Sequence, residues 1–371
     1  MGWVIYEITG SGVLLGAVLG VRAIPMFLLS PLSGVAADRY DRKRLLQISQ
    51  GLAAAVALSF GAALALGLVS TWMLFAFTLL MGASNVIDRP ARLTSAFELV
   101  PREVAVKAVA LNTMGFSLMR VFGPVLAGYF IAWFGAAGTF FSQGVLYAAS
   151  GSAGLLVVFP PRRPAAPGRT AYADMKEGLR YAAGDPTMRA LLAVGVLPYF
   201  LLVPVWGTLF PIYAKDIFAA GPEGLGMLLM AVGLGGTLGG LVANALSHAE
   251  RQGLIQAGWV LVMAAAVAGV AASPSLVWAM AFGFLGGAAE MAHTASNLAM
   301  IQVCAPEAMR GRISSLAMLY PAFISVGALL AGPLSDLMGV RGASFAVAAL
   351  AAGVMLVLLV FMPRLRELRH Q

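Results

Sequence analysis

Long apolar runs separated by short polar breaks set the pattern of this chain. Eleven such runs lie at 12–36, 45–67, 71–93, 104–132, 138–159, 189–213, 224–246, 253–271, 275–303, 312–337 and 342–362. A helix crosses a bilayer with about 20 apolar residues, so each run is long enough to span one. Several breaks are only a few residues, as in GLVST and ASPS. Connections that short force neighbouring helices to run antiparallel. The pattern predicts an all-α, polytopic membrane bundle of eleven full spans.

Composition supports the same reading. The chain is 60% hydrophobic and 11% charged, where a soluble domain is about half apolar and about a quarter charged. A core built from 371 residues cannot hide that much apolar surface, so most of it faces lipid.

The basic residues fix an orientation. If the stretch GVAADRYDRKR (34–44) lies in the cytoplasm and the spans alternate, twenty of the 24 Lys and Arg fall on that side. Lys215 and Arg341 fall outside, and Arg22 and Arg120 within spans. Such one-sidedness is the positive-inside pattern. The net charge of +8 is then expected to meet the anionic inner face of the bilayer. It does not suit nucleic acid, because no basic patch interleaved with aromatics sits on a polar domain. The one cysteine, Cys304, excludes an intrachain disulfide and reads as a small packing residue.

This orientation places residues 1–11 at the outer face. MGWVIYEI is too short to cross and reads as the last two turns of a helix. The expectation is an upstream first helix that this chain lacks, through a late start codon or truncation. The alternative is an eleven-span protein with an outer N-terminus. The segment does not read as a signal peptide, since no Lys or Arg precedes Arg22.

Residues 160–188 form the one long polar stretch, with Tyr172, Met175 and Leu179 at helical spacing. That suits an amphipathic helix on the cytoplasmic surface. Six spans follow it, and five plus the N-terminal stub precede it. The expected organisation is an N-terminal bundle (1–159), a cytoplasmic linker (160–188) and a C-terminal bundle (189–371). Segments 99–128 and 304–333 each run from a Pro-charged start through an apolar span to a Gly-Pro. Together with the central linker they indicate duplicated halves, a plan common among secondary transporters.

At this point the chain resembles the major facilitator superfamily. GVAADRYDRKR is similar to that family's signature between its second and third helices, with Asp41 where many members have Gly. FGPVLAG (122–128) resembles the fifth-helix Gly-Pro signature of exporters. NVIDRPAR (85–92), LVPRE (99–103) and PEAMRGR (306–312) resemble the branch holding enterobactin and macrolide exporters. The resemblance implies a cytoplasmic gate built from Gly34, Asp38, Arg39, Arg42 and Asp88. In it Asp38 would face the helix start near Arg312, Gly34 would let two helices approach, and Arg42 would pair with Asp88. The plainer alternative is that these cations fix topology and bind lipid headgroups.

Ionisable residues at membrane depth are costly and are candidate functional groups by default. At a rise of ~1.5 Å per residue, Glu290 lies ~22 Å from Ser275 and ~24 Å from Pro306. His293 and Asn297 follow on the same helical face. Glu290 is the candidate proton carrier, with His293 tuning it or sharing the proton. The alternative is an interior hydrogen-bond cluster. Arg120, ~26 Å from Glu103 and ~20 Å from Trp133, is a candidate to pair with Glu290, hold an anionic substrate or join the halves. Arg22 is similarly deep, and a structural Arg bonded to carbonyls is the alternative for both. Tyr199 and Trp206, on a span with Pro198 and Pro204, are candidates for an aromatic-walled substrate cavity; packing is the alternative.

GLGGTLGG (233–240) lies inside an apolar span and lacks the order of a nucleotide loop, so close helix packing explains it better. No Walker A, Ser-His-Asp order or HExxH occurs. The expected partners are a small organic substrate, protons and the lipid bilayer, with no cofactor, metal or nucleic acid, in a monomer of the inner membrane. The expected function is proton-coupled efflux by alternating access rather than catalysis. An importer or lipid transporter of the same fold, or a transport-inactive scaffold or sensor, is the alternative.

Overall fold

A computed structural model describes residues 1–29, 41–157 and 171–368. Among these residues the secondary structure is helical throughout, with no strand. In chain order the helices are α1 (Gly2–Thr9), α2 (Gly12–Val21), α3 (Arg42–Ala65), α4 (Thr71–Glu98), α5 (Ala105–Leu156), α6 (Ala171–Gly184) and α7 (Pro186–Leu201). They continue as α8 (Gly221–Ala245), α9 (Gln252–Ala272), α10 (Leu276–Cys304), α11 (Arg310–Ala317), α12 (Tyr320–Phe361) and α13 (Pro363–Glu367). Gly34, Asp38 and Arg39 of the expected gate lie outside the described residues.

By length and composition, eight of the described helical stretches can cross a membrane. Two of them are broken internally. Gly135 (φ 68, ψ 177) interrupts α5 and Gly339 (φ 75, ψ 159) interrupts α12. Both conformations are essentially reserved for glycine. They fall between the apolar runs 104–132 and 138–159, and between 312–337 and 342–362. Outward-facing side chains remain apolar over long stretches, including Leu156, Leu337, Phe361 and Val277. A surface of that kind is at home in hydrocarbon, where helices satisfy their own backbone groups.

Local chemistry sets several helix ends. Asp41 precedes α3 and accepts the Arg44 N–H at 3.2 Å. Asp185 precedes α7 and accepts the Thr187 and Met188 N–H groups at 2.8 and 2.9 Å. Each is an N-cap that satisfies orphan donors and complements the helix dipole. At the opposite polarity, Lys43 Nζ donates to the Leu155 and Val157 carbonyls at 2.8 and 2.9 Å, closing the C-terminal end of α5.

The chain divides into two compact units. The first comprises Met1–Gly20, Arg120–Gly128 and Asp174–Gln371; the second comprises Val21–Met119 and Tyr129–Ala173. In the second, Phe60, Phe77 and Phe140 form an aromatic core with ring centroids 4.7, 4.9 and 5.1 Å apart. In the first, α8 lies against α10 through small residues. A methyl group on Gly235 would strike the Phe284 carbonyl, one on Gly239 the Ala288 carbonyl, and one on Gly287 the Val232 carbonyl. The GLGGTLGG stretch is thus a backbone-contact surface, as its sequence suggests.

Beyond α7 the chain stays helical to Ile217 but unwinds twice into wide turns, at Val205–Leu209 and Tyr213–Ile217. The Phe210 N–H reaches the Val205 carbonyl, and the Phe218 N–H reaches that of Tyr213. Pro198, Pro204 and Pro211 each lack an N–H, so the regular ladder cannot run unbroken here. Trp206 sits on the first wide turn.

Candidate functional site

Glu290 is carried by α10 and is 7% exposed. A carboxylate so far from water needs charge-assisted partners. It has two. Arg120 Nη2, from α5, lies 2.8 Å from Oε1, and the Trp206 indole N–H donates to Oε2 at 3.2 Å. The second terminal nitrogen of Arg120, Nη1, lies 2.9 Å from Met291 Sδ. The Arg120 side chain is 40% exposed against 9% for that of Glu290. The pair therefore has a buried acidic end and an accessible basic end.

Glycines of α8 make room for this arrangement. A Cβ on Gly233 would meet the Arg120 carbonyl at 2.7 Å, and one on Gly236 would stand 3.7 Å from Arg120 Cζ. The close approach of α5 and α8 brings the guanidinium within reach of α10.

A second polar cluster lies further along α10. Asn297 is fully buried and donates to the Leu191 carbonyl at 2.9 Å and to Gln256 Oε1 at 3.0 Å. Its own Oδ1 accepts the Tyr320 hydroxyl at 3.1 Å. His293 Nδ1 lies 3.4 Å from the Gln256 carbonyl. His293 and Asn297 thus find partners on α7, α9 and α12, whereas Glu290 meets Arg120 and Trp206. Thr294 stands between the clusters: its hydroxyl donates to the Glu290 carbonyl at 2.7 Å and lies 2.9 Å from Tyr199 Oη. Tyr199 in turn packs against Tyr320, with centroids 5.6 Å apart. Tyr199 and Trp206 are 8% and 5% exposed, so both are interior groups in this conformation.

A buried carboxylate paired with an accessible guanidinium among long apolar helices fits transport. The family model described as a transmembrane secretion effector matches residues 1–371. The chain belongs to this family of the major facilitator superfamily. Among its relatives is the multidrug efflux pump Tap of Mycolicibacterium fortuitum, 29% identical over 99% of this chain and 91% of that protein. Another is the enterobactin exporter EntS of Shigella boydii, 26% identical over 84% of this chain and 74% of that protein. The crystal structure of the nucleoside transporter NupG matches with a TM-score of 0.75 at 16% identity, over 98% of this chain and 93% of the other. That likeness speaks for the fold alone. The major facilitator chain is a multi-pass membrane transporter and not an enzyme.

The remaining candidates are dispersed in this transporter. Arg22 belongs to the second unit, is exposed, and its Cγ lies 3.2 Å from the position of a Cβ on Gly82. Arg42 opens α3. Among the described residues Arg92, one turn along α4, holds Asp88 at 3.0 and 3.1 Å. Gln50 and Ser49 also donate to Asp88, at 2.7 and 3.3 Å. Arg312 Nη1 pairs with Glu177 Oε1 at 2.8 Å, so the linker helix α6 docks on the start of α11. Gly178 and Ala182 of that helix are buried while Tyr172 and Leu179 face outward. Sequence reasoning missed Arg92, Gln256 and Met291. An (i, i+4) Asp-Arg spacing was the available signal for the first, and nothing local marked the other two.

Proposed function

We propose that this transporter exports a small organic molecule in exchange for protons, with Glu290 as the proton-carrying group. The observation that carries the reading is the Arg120–Glu290 pair, its carboxylate buried among apolar helices and supported by the Trp206 donor. When ionised, Glu290 is the cargo's anchor: a cationic or donor group of the cargo takes the place of the accessible Arg120 on the carboxylate. A proton arriving at Oε1 neutralises the carboxylate, removes that attraction and releases the cargo. Loss of the proton restores the anion for the next cargo. Proton and substrate then compete for one site, which is the requirement for obligatory exchange.

The names of the relatives, a multidrug efflux pump and an enterobactin exporter, support export and cargo of drug-like or siderophore-like size. The rest of the reading follows from the sequence. The halves 1–159 and 189–371 rock about a site near mid-bilayer, joined by the linker 160–188. The protein works as a monomer in the inner membrane, with the linker and C-terminus in the cytoplasm. Asp38 and Arg42, with Gly34 and Arg39, close the cytoplasmic side. His293 and Asn297 hold α10 in place, and Tyr199 and Arg22 meet cargo when the interior opens.

The test is reconstitution in proteoliposomes loaded with a fluorescent aromatic dye. A pH gradient should drive dye across the membrane in the parent, and Glu290→Gln should abolish that drive while downhill movement persists. Gradient-driven transport that survives Glu290→Gln overturns the role of this carboxyl. Movement of dye and protons in the same direction overturns exchange.

A further inference from the structure

The outer half of α2 and the C-terminal part of the first long segment of α12 meet in a contact that the exchange site does not use. Ser11 begins it. Its hydroxyl accepts the Leu14 N–H at 3.3 Å, an ordinary N-cap for α2. The same hydroxyl donates to Asp336 Oδ2 at 3.0 Å. The Gly12 N–H donates to Asp336 Oδ1 at 2.8 Å and the Val13 N–H to Oδ2 at 3.0 Å. One carboxylate from α12 thus takes three donors at the start of α2, two of them main-chain groups with no partner inside their own helix. The helix dipole adds to the attraction.

The fit beneath this cap depends on small residues. A methyl group on Gly12 would strike Ser335, Asp336 and the Gly332 carbonyl, and one on Gly16 would strike the Ala328 carbonyl. Close by, the Tyr6 hydroxyl donates to Asp216, and Lys215 Nζ stands 5.3 Å from the Tyr6 ring centroid. These contacts all lie within the first compact unit. Asp336, Asp216 and the end of α1 are exposed at their rim, whereas Gly12, Gly16 and Ala328 are buried beneath it.

We propose that Asp336 is a positioning residue for transport: its carboxylate clasps the N-terminus of α2 and holds the outer side of the transporter shut. Calling this side outer rests on the positive-inside orientation above. The clasp is breakable by design, because exposed charge-assisted hydrogen bonds hold it at the rim and small residues slide beneath. Opening exchanges the three protein donors for water at the carboxylate, and no covalent step is involved.

The test is thiol accessibility, which needs neither cargo nor a proton gradient. In a Cys304→Ser background, Ala328→Cys places one thiol beneath the clasp at a position 2% exposed in the parent. A membrane-impermeant maleimide is applied to right-side-out and inside-out vesicles. Asp336→Asn should raise the labelling rate from the outside by on the order of tenfold, the size expected for loss of a charge-assisted cap. Asp336→Glu should label close to the parental rate. If Asp336→Asn does not fold, Ser11→Ala, which removes one of the three donors, should still raise the rate by about twofold to threefold. Equal labelling in parent and variants overturns the clasp. A rate increase seen only in inside-out vesicles overturns the orientation instead. Because Glu290 is intact throughout, either result is independent of whether proton exchange is correct.

Discussion

Arg120 and Glu290, 170 positions apart in the sequence, meet at 2.8 Å with the carboxylate buried and the guanidinium accessible. The asymmetry matters more than the distance. A symmetric buried pair would be a structural strut, costly to break and of no use to a moving cargo. Here the cation can be reached without first extracting the acid.

This geometry distinguishes arginine from lysine at position 120. Arg120 reaches Glu290 with one terminal nitrogen and Met291 with the other. A lysine keeps the charge but offers a single point of contact. Arg120→Lys should therefore lower gradient-driven efflux by on the order of tenfold while expression and melting temperature stay near parental values. Dye-efflux assays in proteoliposomes check the first half of this expectation, and purified yield with a thermal melt checks the second.

The Asn297 cluster should behave differently. Asn297→Ala removes two donated bonds and one accepted bond and leaves Gln256 Oε1 and the Tyr320 hydroxyl without these partners. A loss of roughly 2–3 kcal/mol is expected, against about 1 kcal/mol for Tyr320→Phe, which deletes one of the three bonds. Denaturant titration in mild detergent measures both, and a larger loss for Tyr320→Phe would contradict the assignment.

Gly339 offers a backbone test. Its φ of 75 and ψ of 159 belong to a region that L-residues avoid. Gly339→Ala should cost about 1–3 kcal/mol even though no atom lies within 4 Å of its Cβ position. Gly353→Ala, on the same helix and equally open, should be neutral or slightly stabilising. A thermal melt of the pair separates backbone strain from crowding.

Contact between α8 and α10 gives the complementary case. Gly239→Ala has ordinary backbone angles but forces a methyl against the Ala288 carbonyl. The expected loss is roughly 1–3 kcal/mol, with Gly240→Ala, whose Cβ position is open, as the matched control.

Much of this architecture was legible in the order of the residues. The breaks expected at 133–137 and 338–341 hold the two glycines that interrupt α5 and α12, because a chain reversing between antiparallel helices needs a conformation that glycine supplies. Glu290 stood out because a carboxylate inside an apolar run has no inexpensive explanation. Arg120 as its partner was one of several options, since pairing across 170 positions depends on how α5, α8 and α10 pack. The polar stripe of Glu290, His293 and Asn297 was visible as spacing. Its division between two sets of partners was not, because Gln256 and the Leu191 carbonyl come from other helices. Trp206 read as a cavity or packing group from its ring, and its N–H bond to Glu290 had no sequence signal. Asp336 gave no signal at all: it closes an apolar run, and two of its three donors are main-chain groups of residues whose names carry no charge.

The two wide turns at Val205–Leu209 and Tyr213–Ile217 have a mechanical corollary. Each stores one residue more than a regular turn, a reserve of about 100° of axial rotation that can be returned without lengthening the chain. Trp206 rides the first turn and Asp216 the second, so rewinding this one rod would turn the indole from Glu290 and the carboxylate from Tyr6 in a single torsional stroke.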